Sequence, residues 1–126
     1  MSLVDSVEKE FTLQTAVTRY DELRMRDALA LQPLSADDAL QMLALGEVIA
    51  RKAGYGRQLS VRSARAAGAS WAQIGAALGM SKQSAWESHA RWISEQAEQH
   101  RRTGLEGFDA EQEAAARDLA GGSDEA

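Results

Sequence analysis

Apolar side chains recur every three or four residues along much of this chain, with charged and polar residues between them. The first such stretch contains Val4, Val7 and Phe11 and predicts one amphipathic helix from Val4 to about Leu31, with a break near Thr12. A helix of this kind packs its apolar face against the rest of a fold, and it is one candidate for a contact between two copies of the chain.

A second helix is predicted after the only proline, Pro33, because the residue before a proline disfavours helical backbone. Ser35 can cap this helix by accepting a hydrogen bond from a backbone amide of its first turn. The apolar face continues to about Ala53, and the glycines of Gly54-Tyr55-Gly56 predict that the helix ends there. A third helix is predicted over residues 60–67.

The middle of the chain predicts a short helix that follows a turn. Gly68 is expected to end the third helix. Ser70 and Gln73 then have the spacing of a capping box, in which the serine side chain accepts from the glutamine amide and the glutamine side chain reaches back. The fourth helix that they begin is short and covers residues 71–78.

A turn of three residues, Gly79-Met80-Ser81, joins the fourth helix to a long fifth one. The glycine tolerates positive φ, the methionine points inward, and the serine caps a helix that extends to about Arg102. Gly75 supplies the small residue needed where two such helices cross, and Ala85 packs from the fifth helix. These features predict a helix-turn-helix, whose second helix fits the major groove of DNA.

The predicted fold class is all-α: a small helical bundle containing a helix-turn-helix, with a long N-terminal amphipathic helix and a long recognition helix. Residues 1–34 are assigned to the N-terminal helix, suited to dimerisation, and residues 35–103 to the DNA-binding domain. Residues 104–126 form an acidic tail. Because the tail has little apolar surface to bury, we expect disorder there, with a marginal helix over residues 110–120 as the alternative.

The distribution of charge changes what the overall composition suggests. A net charge of −5 and a pI of about 5.0 argue against a nucleic-acid-binding protein when taken alone. The net charge is, however, −5 over residues 1–50, +6 over residues 51–102 and −6 over residues 103–126. The predicted helix-turn-helix therefore lies in the one basic segment of the chain.

Several classes of function find no support in the composition. The chain has no cysteine and only two histidines, which excludes thiolate chemistry and leaves little for a metal site. No nucleophile triad, phosphate-binding glycine loop or HExxH motif occurs, so we predict neither an enzyme nor a cofactor. No apolar stretch approaches the roughly 18 residues of a membrane span. The chain also lacks a signal-peptide pattern, and the expected location is the cytoplasm, in association with the nucleoid.

A resemblance to a known family lies in residues 64–86, which read ARAAGASWAQIGAALGMSKQSAW. This stretch resembles the helix-turn-helix of many small actinobacterial DNA-binding proteins. It is also similar to the DNA-reading module of sigma-factor region 4 and of repressor-type regulators. The resemblance covers about a fifth of the chain. It implies a bacterial regulator of transcription whose fifth helix lies against double-stranded DNA.

The resemblance places Ser81, Lys82, Gln83 and Ser84 against the groove, with Trp86, Glu87 and Arg91 farther along. Gln83 ranks first, because a glutamine can pair with N6 and N7 of adenine. Lys82 can reach a phosphate or a guanine, Ser84 a base edge or a phosphate, and Arg91 a phosphate. Glu87 can accept from cytosine N4 or orient a neighbouring side chain. For each of them the alternative is an ordinary solvated helix surface.

Candidate phosphate contacts also precede the turn. Arg62 and Arg65 lie on the third helix, and the backbone amides that follow Ser70, near Trp71, face outward at a helix start. The predicted DNA-binding residues are Arg62, Arg65, Ser70, Trp71, Ser81, Lys82, Gln83, Ser84, Glu87 and Arg91.

The fifth helix departs from the helix-turn-helix pattern at Ser88, where an aliphatic core residue is expected. The apolar character falls instead on Trp86, His89, Trp92 and Ile93. The sequence therefore predicts a rolled fifth helix, with Trp86 or Trp92 buried against the N-terminal helices. Core packing is favoured for the tryptophans, which weakens the case for Trp86 as a DNA contact. His89 is interpreted as a hydrogen-bonded packing residue.

The leading hypothesis is a sequence-specific transcription regulator that binds double-stranded DNA as a homodimer, because one short recognition helix reads only a few base pairs. The N-terminal helix and residues 94–102 are the candidates for the dimer contact. The alternative is a protein-interaction module, such as a polymerase or sigma adaptor or an antitoxin, which keeps the helix-turn-helix as a scaffold. In that case the acidic ends would bind a basic protein partner.

Overall fold

A computed structural model of the protein describes residues 2–29 and 32–124. Over this part of the chain all regular structure is helical, so the predicted all-α class is confirmed. No helix among the described residues is long and apolar enough to cross a membrane. The chain divides into two compact units, Met1–Gly56 and Arg57–Ala126. The helices are α1 (Leu3–Glu10), α2 (Leu13–Leu29), α3 (Ala36–Ala66), α4 (Trp71–Leu78), α5 (Lys82–Thr103) and α6 (Ala110–Ala120).

The predicted N-terminal helix is divided into α1 and α2, with the break at the expected place. Thr12 and Thr15 explain the break, because each side-chain oxygen accepts a hydrogen bond from the backbone amide of the other, at 3.1 and 2.9 Å. This reciprocal pair starts a new helix, as a capping box does. The predicted end at Leu31 lies outside the described residues.

Unit 1 has a core of its own, built from α1, α2 and the first part of α3. At its edge Glu8 accepts hydrogen bonds from the Arg51 guanidinium and the Tyr55 hydroxyl, each at 3.1 Å. These bonds link α1 to α3 within unit 1. The buried core residues are Val7, Ala16, Leu23, Ala44, Leu45 and Val48.

The predicted end of the second helix at Ala53 is wrong, because α3 continues without interruption to Ala66. Ser35 caps it as expected, accepting from the Asp38 amide at 3.0 Å. The backbone at Gly54 and Gly56 stays helical. A glycine inside a helix costs about 1 kcal/mol relative to alanine, which a long helix with packed ends tolerates. The predicted third helix is thus the last part of α3, and unit 2 begins just after the glycine pair.

The elements predicted between the third and fifth helices are confirmed. Gly68 ends α3 with a φ of 96°, and Ser70 and Gln73 form both hydrogen bonds of a capping box at the start of α4. Gly79 ends α4 in the left-handed region, with a φ of 70°, and Ser81 caps α5 by accepting from the Ser84 amide.

The expectation of a disordered tail is wrong where the structure describes it, because residues 110–120 form helix α6 as in the alternative reading. Asp109 and Gln112 start α6 with a second capping box. Before it, the Phe108 amide donates to the Gln96 carbonyl of α5 at 2.9 Å. Ala116 and Ala120 are buried in the core of unit 2. The small side chains of α6 supply enough apolar surface because they lie directly against a partner helix.

Candidate nucleic-acid interface

The α4–turn–α5 segment brings two helices together through a close backbone approach at Gly75. A Cβ atom at this position would lie 2.7 Å from the Met80 carbonyl oxygen and 3.0 Å from the carbonyl carbon of Ser81. The Met80 amide donates to the Gly75 carbonyl at 2.9 Å. Any larger residue at this position would push the turn away from α4, so the crossing depends on glycine.

Helix α5 has one buried and one exposed face over its first three turns. The buried face places Ala85, His89 and Ile93 four residues apart against α4 and the last part of α3. These three residues follow one another at regular helical spacing. His89 therefore occupies the core position at which the helix-turn-helix pattern places an aliphatic residue, and Ser88 does not. The exposed residues of the first three turns include Lys82, Gln83, Ser84, Glu87 and Arg91.

The exposed residues at the start of α5 are partly paired with each other. The Ser81 and Ser84 hydroxyls lie 3.0 Å apart, so each serine has a local partner. Gln83 donates from its side-chain amide to the Glu87 carboxylate at 2.9 Å, one helical turn farther on. This bond leaves the Gln83 carbonyl oxygen and one N–H available to a ligand, the pair of groups that adenine requires.

Lys82 begins α5 and is half exposed. Its ammonium nitrogen lies 3.6 Å from a carboxylate oxygen of Asp124, a residue of the acidic tail. One charged group of the candidate interface therefore has a negative partner from the same unit.

Arg62 and Arg65 are half-buried rather than fully solvated. The Arg62 guanidinium lies 5.8 Å from the ring centres of both Trp92 and Phe108. Arg65 lies over Trp71 at 5.2 Å and donates to the backbone carbonyls of Ala69 and Leu119. Both arginines therefore contribute to the packing of unit 2, whatever they contact outside it.

The core packing that the sequence favours for the tryptophans is confirmed, because Trp71 is buried in the core of unit 2 and Trp86 and Trp92 pack against it. Trp71 is fully buried and donates from its indole nitrogen to the Ala120 carbonyl at 2.8 Å. Trp86 donates to the Gly121 carbonyl at 2.7 Å, so its indole lies against the tail. Trp92 meets Phe108 edge to face, with 5.3 Å between ring centres. An indole N–H that leaves water needs an acceptor, and the tail supplies two of them.

His89 is 1% exposed and lies between the rings of Trp71 and Trp92, at 5.6 and 5.3 Å. Its Nδ1 is 2.9 Å from the side-chain oxygen of Gln58. Burial, with the nearby positive charges of Arg62 and Arg65, lowers the pKa of His89 to about 4. The ring is thus neutral at pH 7 and donates to the glutamine, which agrees with a packing role.

The sequence reasoning missed the contribution of the tail to this surface. Gly107 has a φ of 75° and lies so close to the Gln96 carbonyl that a Cβ atom would overlap it. Asp109 and Gln112 have the same capping-box spacing as Ser70 and Gln73. This spacing is the signal in the sequence that indicates a helix start in the tail. Nothing in the sequence indicated which acceptors the indoles would find.

The described residues also form open grooves, one of which is lined by Arg91, Ser94 and Arg102 of α5. The described part of the chain contains no group of three or more His, Asp or Glu side chains that could bind a metal ion. An open, mostly apolar groove between the last part of α3 and α4 is lined by Val61, Ala64, Ile74 and Leu78, with Arg57 beside them. The exposed face of α5 therefore remains the best candidate site.

Comparisons with protein-family models, with curated proteins and with solved structures find no match to this chain.

Proposed function

We propose that unit 2 binds double-stranded DNA through α4 and α5, as a helix-turn-helix, and that the protein regulates transcription. The observation that carries the proposal is the crossing at Gly75, followed by a polar, exposed first half of α5. A helix that presents polar side chains on one face and is held by a tight turn fits the major groove.

Gln83 is the proposed base-reading residue. Its hydrogen bond to Glu87 fixes the orientation of the amide group, since the bond uses one N–H and leaves the other. The remaining acceptor and donor match N6 and N7 of adenine, and such a pair contributes about 1–3 kcal/mol of discrimination. Lys82 and Arg91 are the proposed phosphate contacts from the same helix.

A homodimer is part of this proposal, because one exposed helix face of this size reads only a few base pairs. Two copies bound to a palindrome would double the recognised sequence. Unit 1 offers surface for such a contact, since large apolar side chains of α2 and α3 are exposed. They are Leu13, Val17, Met25, Leu29, Leu40 and Leu43.

The test is selection from a random duplex library, followed by fluorescence anisotropy on the selected duplex at low and at physiological salt. We expect a palindrome to be enriched, with affinity that falls steeply as salt rises. Gln83→Ala should reduce the preference for the selected duplex over random DNA about tenfold. Gln14→Ala is the matched control, because it removes an exposed glutamine from unit 1. Equal discrimination by Gln83→Ala and the parent protein would refute the assignment of α5 as the reading helix.

A second candidate function is a protein-interaction module, and the exposed apolar residues of unit 1 favour it. Leu43 is 70% exposed and Leu29 is 61% exposed, and a surface on which several such side chains gather is typical of a protein contact. In this case the chain would not bind duplex DNA even at low salt. Its complex with a partner would then depend little on salt, because apolar contacts are not screened.

A further inference from the structure

The tail is anchored beside the candidate DNA-binding surface by three consecutive backbone carbonyls. The carbonyl of Leu119 accepts from Arg65, that of Ala120 from the Trp71 indole, and that of Gly121 from the Trp86 indole. These bonds fix the end of α6 against both α4 and α5. Whatever follows Gly121 must therefore start next to the first two turns of α5.

The acidic residue that follows this anchor meets the cation that begins α5. Trp86 lies one turn after Lys82 on the same helix, so the anchored chain is already on the side of α5 that Lys82 occupies. Asp124 then lies 3.6 Å from the Lys82 ammonium and is 97% exposed. Such an exposed pair is weak and exchanges readily with ions in solution.

We propose that the tail segment of residues 122–124, which carries Asp124, competes with DNA phosphate for Lys82. The inference rests on the proposed DNA-binding function and adds to it an internal competitor. A carboxylate and a phosphate oxygen make the same kind of contact with an ammonium group. Since the anchor keeps Asp124 near Lys82, the local concentration of carboxylate is high, and DNA must displace it.

The charge distribution indicates that Asp124 competes with DNA for Lys82, and that the ion pair between them is not a structural salt bridge. Residues 103–126 carry a net charge of −6, beside a segment of +6 that contains all the proposed phosphate contacts. The folding of α6 does not need the Asp124 pair, because Ala116, Ala120 and the indole hydrogen bonds already hold that helix. Removal of the Asp124 charge should therefore change binding and leave the fold intact.

The experiment is a double-mutant cycle on Lys82 and Asp124, measured by anisotropy on the selected duplex at low salt. Asp124→Asn should tighten DNA binding about threefold, the gain expected from releasing one exposed ion pair. Asp118→Asn is the matched control, because it removes the same charge from an exposed position of α6. In the Lys82→Gln background, Asp124→Asn should have no effect.

Backbone amide chemical shifts, measured without DNA, test the contact between Asp124 and Lys82 separately from the proposed DNA binding. Amide shifts of residues 82–84 should change in Asp124→Asn and not in Asp118→Asn if the carboxylate contacts the start of α5. Equal tightening by both variants, or tightening that persists without Lys82, would overturn the inference while DNA binding stands. An unchanged affinity of Asp124→Asn for the selected duplex would also overturn the inference and leave the proposed DNA binding in place. If no variant binds DNA, the proposed function and the competition both fail, even where the amide shifts confirm the contact.

Discussion

At the scale of single residues, the core of unit 2 depends on His89, a polar side chain of a type that usually remains in contact with water. The ring is buried between two tryptophans, and its Nδ1 forms a hydrogen bond with Gln58. The positive charges of Arg62 and Arg65 add to the effect of burial, and together they favour the neutral ring. A protonated His89 would bring a charge without a counterion into this core.

This arrangement predicts that the protein loses stability as the solution becomes mildly acidic. The pKa of His89 is about 4 in the fold and 6.5 in the unfolded chain, so between these values the unfolded chain binds more protons. The free energy of unfolding should fall by about 2 kcal/mol between pH 7 and pH 5 because of this group. Urea denaturation followed by tryptophan fluorescence measures it.

The control for the acid effect is His89→Phe, which keeps an aromatic ring and removes the titrating group. The variant starts from a lower stability, because Gln58 loses its partner, but its stability should depend less on pH over this range. Parallel curves for the two proteins would show that other groups cause the pH dependence.

At the scale of helices, two glycines that lie inside helices have different roles in the fold. Gly75 lies inside α4, where the turn backbone approaches too closely for any side chain. Gly54 lies inside α3, where, apart from its chain neighbours and the nearby backbone of α3, no atom lies within 4 Å of the position that a Cβ would occupy. The first glycine is required by a crossing of helices, and the second only lowers the stability of its own helix.

Alanine at these two positions should therefore have opposite effects. Gly75→Ala should lower the free energy of unfolding by about 2 kcal/mol, because the Met80 carbonyl must move to admit a methyl group. Gly54→Ala should raise it by up to about 1 kcal/mol, because alanine favours the helix. Urea denaturation of both variants, followed by circular dichroism, compares them directly. Destabilisation by Gly54→Ala would mean that α3 bends or ends at the glycine pair.

At the scale of the whole molecule, the chain consists of two units that each have a separate core. Around its core, unit 1 has exposed apolar side chains on its surface. Unit 2 has the polar face of α5 on its surface. Because α6 belongs to unit 2, the folded part of that unit extends well beyond the helix-turn-helix segment. The candidate DNA-binding module is thus a four-element unit: the end of α3, then α4, α5 and α6.

A charge placed on the buried face of α6, and the same charge placed on its exposed face, test whether α6 belongs to the core of unit 2. Ala116→Glu puts a carboxylate into the core of unit 2 and should lower its stability by about 3 kcal/mol. Ala115→Glu adds the same side chain at the exposed neighbouring position and should change stability by less than about 0.5 kcal/mol. Tryptophan fluorescence reports this unit selectively, because all three tryptophans belong to it. Equal stabilities would indicate that α6 does not pack as described.

The sequence by itself determined the features that depend on local interactions. The break at Thr12, the caps at Ser35, Ser70 and Ser81, and the turn at Gly79 follow from hydrogen bonds between residues close in the chain. A capping side chain and its amide are three residues apart, so their spacing can be recognised without the fold. The exposed position of the residues at the start of α5 was implied by the resemblance of residues 64–86 to known helix-turn-helix segments.

Only the tertiary structure decided the features that depend on partners distant in the chain. Contacts that no local pattern encodes decide three features: the continuation of α3 through Gly54, the folding of α6, and the half-buried positions of Arg62 and Arg65. The indole of Trp71 finds its acceptor 49 residues away. Local propensities at these places differ by about 1 kcal/mol, and packing against a distant partner contributes more than that. For this reason the sequence located the candidate site, and the structure decided what surrounds it.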